Sequence, residues 1–321
     1  MKYQLAGHSA LGSRPTNQDR IAHAERDQAV LLALADGLGG HTGGELAAEG
    51  LIHTALRAFE RIKHTTITQP SAFLALTILQ AHNAIVQYAR SRPDDIQPRT
   101  TCVLCLVQNG YAYWAHVGDS RLYHFRAGKL RTRTRDHTAT ERLREDGVIS
   151  EDEMLTHPDK SRLLKCVGGP HKPIISLGEE TPLQRGDTLL LCSDGLWEAF
   201  SAEQLAGYLE LGDLDESVEE MVMDAEDRRG SACDNVSAVC LRWQDSAPRS
   251  LPLQANTALN VDQDALWEIA KNRLLAQRAL SNKSEPARGG SKPGRSKPRV
   301  VKKRSFRSEL EELEKYIKQF E

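Results

Sequence analysis

Short apolar runs rich in β-branched and aromatic residues recur at 30–35, 101–107, 111–117, 121–125, 188–192 and 236–243, and they do not alternate one for one with helical segments. Turn pairs such as Asn109-Gly110 and Ala127-Gly128 join neighbouring runs as antiparallel hairpins. Between the runs, 45–62 places Leu46, Leu51, Ile52, Leu56, Phe59 and Ile62 near a period of 3.6. The stretch 71–89 does the same with Phe73, Leu76, Leu79, Ile85 and Val86, and Ser201 opens a third helix with Glu203 and Gln204 in its first turn. Strands grouped in this way argue for a sheet sandwich covered by helices.

With 321 residues the chain exceeds one typical domain, so one large mixed domain plus an extension is expected. The formal charge of −2 hides an asymmetry: residues 1–245 carry −9 and residues 246–321 carry +7. Met1 and Lys2 are followed by no long apolar h-region, and no run approaches the roughly 20 apolar residues of a membrane span. The expectation is a cytoplasmic protein. Six cysteines are too few for a disulfide scaffold in a chain this long. Cys102, Cys105, Cys192 and Cys240 lie in strand-like runs and read as reduced core residues, and the C-x-x-C at Cys102 and Cys105 has no second pair to complete a zinc site.

The extension divides by composition. Residues 246–261 read as a polar linker and 262–280 as a helix with Leu266, Ile269 and Leu274 on one face. Residues 281–307 form a basic, low-complexity stretch with nine Lys or Arg against Glu285 over 281–304, too polar to order itself. Residues 308–321 read as an amphipathic helix, with Ser308 and Glu311 as a capping box and Leu310, Leu313, Ile317 and Phe320 as its apolar stripe. That stripe and the charge asymmetry suggest docking on a partner or on the chain itself. Nucleic acid is disfavoured, because the basic stretch lacks interleaved aromatics.

Five aspartates sit in short motifs, Asp36 in VLLALADGLGGH, Asp119 in VGDSRLY, Asp194 in LLLCSDGLWE and Asp234 in CDNVSAVCL at or beside the ends of these runs, and Asp19 in RPTNQD. A carboxylate placed where a strand stops sits at the rim of a sheet. Several rims brought together give a hard, oxygen-rich pocket suited to Mg2+ or Mn2+, and two such ions can activate water and stabilise a leaving oxygen. Each aspartate taken alone is a turn or cap residue.

Arg14 with Asn17-Gln18-Asp19, DGLGGH, GDSR, SDGLWE and DNVS resemble, in order and spacing, the metal-dependent Ser/Thr protein phosphatases of the type 2C family in their bacterial form. The resemblance covers about residues 3–243. It implies an α+β four-layer sandwich, two antiparallel sheets flanked by helices, with a catalytic domain over 1–245 and a flap near 134–169 that borders the cleft and contains His137 and His157. It also implies hydrolysis of phosphoserine and phosphothreonine by direct attack of water activated by a binuclear Mn2+ or Mg2+ centre, with a third ion in bacterial members. Asp36 resembles the carboxylate bridging two metals, Gly37 offers its carbonyl, and Asp194 and Asp234 resemble the remaining ligands of the first metal. Asp119 resembles a ligand of the third ion, and Asp19 the carboxylate that holds water at the pair. Arg14 resembles the guanidinium that grips the phosphate. His41 matches a bacterial histidine whose reference pKa of about 6.5 suits a general acid. Gln18 departs from the Glu of many members, which replaces a charged ligand by an amide. The partners implied are phosphoproteins and a cognate Ser/Thr kinase.

Other readings are weaker. Ser120 lacks the G-x-S-x-G elbow of a serine esterase, and GLGGHTGG lacks the lysine of a P-loop. A metal-poor pseudophosphatase that binds phosphoproteins through its flap is the non-enzymatic alternative, against which stands the presence of all the principal carboxylates.

Overall fold

Ten residues from Ala29 to Leu38 form β3, and from Ala29 to Ala35 every side chain is buried, so this strand must lie inside a layered structure rather than on a solvated sheet face. The computed structural model describes residues 1–38, 43–92, 96–160, 162–210, 212–246 and 306–318. Before β3 come β1 (Tyr3–Ala10) and β2 (Asp19–Arg26). After it come α1 (Gly43–Glu60), α2 (Pro70–Ser91), β4 (Arg99–Thr100), β5 (Cys102–Gln108), β6 (Tyr111–Val117), β7 (Arg121–Arg126) and β8 (Lys129–Arg133). The flap region holds two short helices, α3 (Ala139–Glu145) and α4 (Glu151–Thr156). Then follow β9 (Ser176–Leu177), β10 (Thr181–Pro182), β11 (Thr188–Cys192), α5 (Asp194–Trp197), α6 (Ala202–Tyr208), α7 (Leu214–Arg229), β12 (Val236–Trp243) and α8 (Phe306–Lys318).

The strands pair antiparallel into two sheets, one ordered β1-β12-β11-β7-β8 and the other β10-β6-β5-β3-β2, with β4 on β3 and β9 on β6. Three apolar clusters separate four layers. Val30, Leu32, Leu34, Val103, Leu191 and Leu241 meet between the sheets. The opposite faces of β3 and β5 pack on α1 and α2 through Leu31, Ala33, Leu104, Leu51 and Ile78, and the outer face of the first sheet packs on α5 to α7. Each fully buried Leu or Ile contributes about 1.5–3 kcal/mol relative to exposure. The sandwich is the expected architecture.

Local chemistry explains the joints. Asn109 and Gly110 have φ of 54° and 80°, the left-handed pair that a tight hairpin between β5 and β6 demands. Ser201 and Gln204 form the capping box that starts α6. The last helix begins at Phe306, so Ser308 lies inside it rather than capping it. Its Leu313 and Ile317 are buried in the α1–α2 cluster, and the buried Glu309 accepts from Arg92 at 2.9 Å. The helix expected at 262–280, most of the linker at 246–261, the basic stretch up to residue 305 and Phe320 lie outside the described residues. Among the described residues no helix is long and apolar enough to cross a membrane.

Candidate functional site

Antiparallel pairing of β2 with β3 sets Asp19 directly opposite Asp36. Side chains directly opposite on neighbouring strands lie about 5 Å apart at Cβ, so two carboxylates meet by register alone. Asp19 is 3% exposed; Ser193 donates to its Oδ2 at 2.7 Å, while Oδ1 is buried without a hydrogen-bond partner. The other aspartates arrive from neighbouring strand ends. Asp194 is the first residue of α5, immediately after β11 and Ser193. Asp234 precedes β12, and Asp119 lies between β6 and β7, its carbonyl fixed by the Trp197 indole N–H at 2.9 Å.

The electrostatics record this convergence. Burial raises the Asp36 carboxyl well above the ordinary range, and the charges of Asp19, Asp194, Asp119 and Asp234 raise it further. Burial and then Asp119 and Asp234 do the same to Asp194. Asp19 rises to about 6, mainly by burial, although the Ser193 hydrogen bond opposes the shift. Asp119 rises to about 7, through burial first and the charge of Asp136 second. Crowded buried carboxylates with an orphaned oxygen are costly alone and are relieved by divalent cations. The donor set is all oxygen, which suits Mg2+ or Mn2+ over softer-ligand metals. Among the described residues no three carboxylate, imidazole or thiol groups close into a finished ligand set. The fit to the ions lies instead in the donor chemistry and in the convergence of the strand ends.

Backbone features hold the carboxylates in place. A Cβ on Gly37 would come within 2.4 Å of the Gly44 backbone, so only glycine admits this contact between β3 and the start of α1. Thr101 donates its N–H to the Asp36 carbonyl at 2.8 Å and accepts the Asp36 N–H on its hydroxyl at 3.0 Å. Thr100 adds a second donor to that carbonyl at 2.9 Å. Asn235 accepts the Gln18 N–H at 2.9 Å and donates to the Leu11 and Thr16 carbonyls, which staples the loop carrying Arg14 to the strand after Asp234. Gln18 itself turns its carbonyl to the Gly37 N–H, and its side-chain nitrogen is a near neighbour of Gly44.

Arg14 donates to Asp234 Oδ2 at 2.5 Å and is more than half exposed, so it stands at the mouth of the acidic cluster. His41 lies outside the described residues. His137 accepts the Gly118 N–H at 3.2 Å, bonds Ser176 at 2.8 Å and stacks on His116, and burial lowers its pKa to about 3. His157 ends α4 and accepts the Asp159 N–H at 3.1 Å. Ser120 is buried, and its hydroxyl meets the Thr101 hydroxyl at 2.6 Å. All six cysteines are free thiols.

One further group joins the flap to the site. Arg121 holds Asp136 with two bonds, at 2.9 and 2.7 Å, and lies 3.6 Å over the Trp197 ring. Sequence reasoning passed over Arg121, Asp136, Thr100, Thr101 and Asn235, although GDSR contains Arg121, DNVS contains Asn235 and Asp136 directly precedes His137.

Comparison with known proteins follows the same lines. The profile of the family described as Protein phosphatase 2C matches residues 6–234. Serine/threonine protein phosphatase PstP of Mycobacterium tuberculosis is 32% identical over 231 residues, which is 70% of this chain and 42% of PstP, so the chain spans less than half the length of that relative. The solved serine/threonine phosphatase of S. agalactiae superposes with a TM-score of 0.70 at 26% identity, covering 76% of this chain and 100% of that one. The catalytic domain of PstP in complex with two manganese ions gives a TM-score of 0.64 at 29% identity, covering 76% and 99%.

Proposed function

The chain belongs to the protein phosphatase 2C family, and from that premise we propose that it hydrolyses phosphoserine and phosphothreonine in proteins with water as the nucleophile. The observation that carries the reading is the convergence of Asp19, Asp36, Asp119, Asp194 and Asp234, from separate strand ends, into one group whose charges together raise the carboxyls of Asp36 and Asp194. Asp36, the Gly37 carbonyl, Asp194 and Asp234 would hold two Mn2+ or Mg2+ ions, with Asp119 toward a third, and bound ions would supply charge neutralisation of the phosphoryl group and a more acidic attacking water. Asp19 accepts a proton from that water through its unpartnered Oδ1 and fixes its orientation. Arg14 leaves Asp234 to bond two phosphate oxygens with its planar fork. His41 protonates the departing alcohol, the poor leaving group of the reaction.

The substrates are products of a Ser/Thr kinase, and the compartment is the cytoplasm, where free thiols such as the six here persist. Incubation with a phosphothreonine peptide and Mn2+ tests the reading: phosphate release that stops with chelator is expected. Tight peptide binding without release in saturating Mn2+ would instead support the pseudophosphatase.

A further inference from the structure

Helix α1 contains a glycine where none is needed locally. Gly50 sits mid-helix, where glycine costs about 1 kcal/mol relative to alanine. A Cβ at Gly50 would come within 2.5 Å of Leu313 Cδ2, so the glycine is the notch that admits α8. Around this notch the contact is specific as well as apolar. Leu313 and Ile317 are 1% and 2% exposed, and Tyr316 meets Tyr88 edge-on at 6.2 Å. The Arg92–Glu309 pair, 2.9 Å apart, is more than nine-tenths buried on both sides. Removal of one partner from such a pair leaves an uncompensated buried charge, so it selects one register for the helix.

The first two turns of α1, up to the notch, bear on the aspartates. Glu45 and Glu49 grip Arg20 at 2.5 and 2.6 Å, and Arg20 directly follows Asp19 in β2. Arg20 also donates to the carbonyls of Asn17 and Asp19. Gly44 in the first turn abuts the Gly37 backbone. Glu49 and Gly50 are adjacent, so the helix that receives α8 on one face clamps the strand ends of Asp19 and Asp36 with the neighbouring side chain.

We propose that the C-terminal helix is a positioning element of the phosphatase site: seated in cis in the α1–α2 groove, it holds α1, and α1 holds Asp19 and Asp36 at the geometry that receives divalent ions. The proposal rests on the phosphatase reading for its catalytic consequence, but its mechanical part does not. Contacts travel Leu313 to Gly50, Glu49 to Arg20, and Arg20 to Asp19, without any segment outside the described residues.

The test uses the full chain with Leu313→Asp, with Arg92→Glu and Glu309→Arg singly and together, and with the exposed Lys315→Ala as control. Hydrogen exchange of α1 amides reads the mechanical link. Leu313→Asp and each single charge reversal are expected to speed exchange in the first two turns of α1 about tenfold, as for an easier local opening. The Mn2+ midpoint, read by calorimetry and by hydrolysis of para-nitrophenyl phosphate, is expected to rise about tenfold, the low end for loss of a group that orients ligands. The double reversal restores both, and Lys315→Ala changes neither. Faster exchange confined to α8, with α1 and the Mn2+ midpoint unmoved, would overturn the proposal. So would α8 protection in the wild type that depends on protein concentration, which would seat the helix on a second copy. Absence of hydrolysis in every variant and the wild type, with the α1 response intact, would refute the phosphatase reading while sparing the mechanical link.

Discussion

Asp119→Asn should stabilise the protein in chelator at alkaline pH, although it removes a carboxylate assigned to a metal. Asp119 is 8% exposed and its carboxyl is pushed up to about 7, far above the usual carboxylate range, by burial first and then by the charge of Asp136. A raised folded pKa means that the stability tied to the protonated form is fully present below about 4 and is lost as pH rises through about 7. The displacement corresponds to about 4 kcal/mol once ionisation is complete, an upper figure because screening and relaxation reduce it. Asparagine has the same shape and cannot ionise, so it escapes this penalty. After burial, the charge of Asp119 is also what most raises the Asp194 carboxyl, so the substitution relieves a neighbour too. Urea unfolding in chelator at pH 5 and pH 8 measures the difference. The variant's advantage is expected to widen by about 2–3 kcal/mol over that interval, with the melting temperature following at about 2–4 °C per kcal/mol. Excess Mn2+ should narrow the gap by stabilising the wild type, by about 2.7 kcal/mol at one hundred times the dissociation constant. A variant no more stable at pH 8 than at pH 5, relative to wild type, would refute the picture of mutually repelling buried acids.

Two further outcomes separate the remaining roles. Arg14→Lys should raise KM for a phosphopeptide by about tenfold with a smaller change in kcat, since a point charge replaces a bidentate fork; unchanged steady-state kinetics would return Arg14 to a surface ion pair with Asp234. His41→Ala should slow phosphoserine peptides by about 10²–10⁴-fold and an aryl phosphate with a good leaving group far less, because only the alcohol needs a proton; equal losses on both would remove His41 from proton transfer.

Asp36, Asp119, Asp194 and Asp234 were legible because each stands at or beside the end of an apolar run, and strand ends are where a sandwich exposes its rims; Asp19 was legible only through its RPTNQD motif. The strands at 188–192 and 236–243 were legible to the residue, as continuous apolar runs with sharp ends. Strand β1, with its sequence YQLAGHSA, and β2, with DRIAHAER, gave no such signal, because they lie at sheet edges and are only partly buried. Helix α7 was hidden by its acidic surface, although Leu214, Val218, Met221, Val222 and Ala225 mark one buried stripe. The supports of the site were illegible for a different reason. Thr101 holds Asp36 from 65 positions away and Asn235 holds Gln18 from 217, and no local pattern encodes a contact of that separation. The stripe of the last helix could be read from sequence, but its seat could not, because Gly50 looks like a defect until Leu313 is placed beside it.

The claim that the aspartates form a divalent-cation centre for phosphoester hydrolysis is tested most directly by calorimetric Mn2+ titration of the wild type and Asp36→Asn, with phosphothreonine-peptide hydrolysis measured on the same samples. The account predicts Mn2+ binding and turnover in the wild type, and loss of nearly all of both in a variant that remains folded by circular dichroism. A folded Asp36→Asn protein that binds Mn2+ as the wild type does and keeps more than a few per cent of its turnover in saturating metal would contradict it.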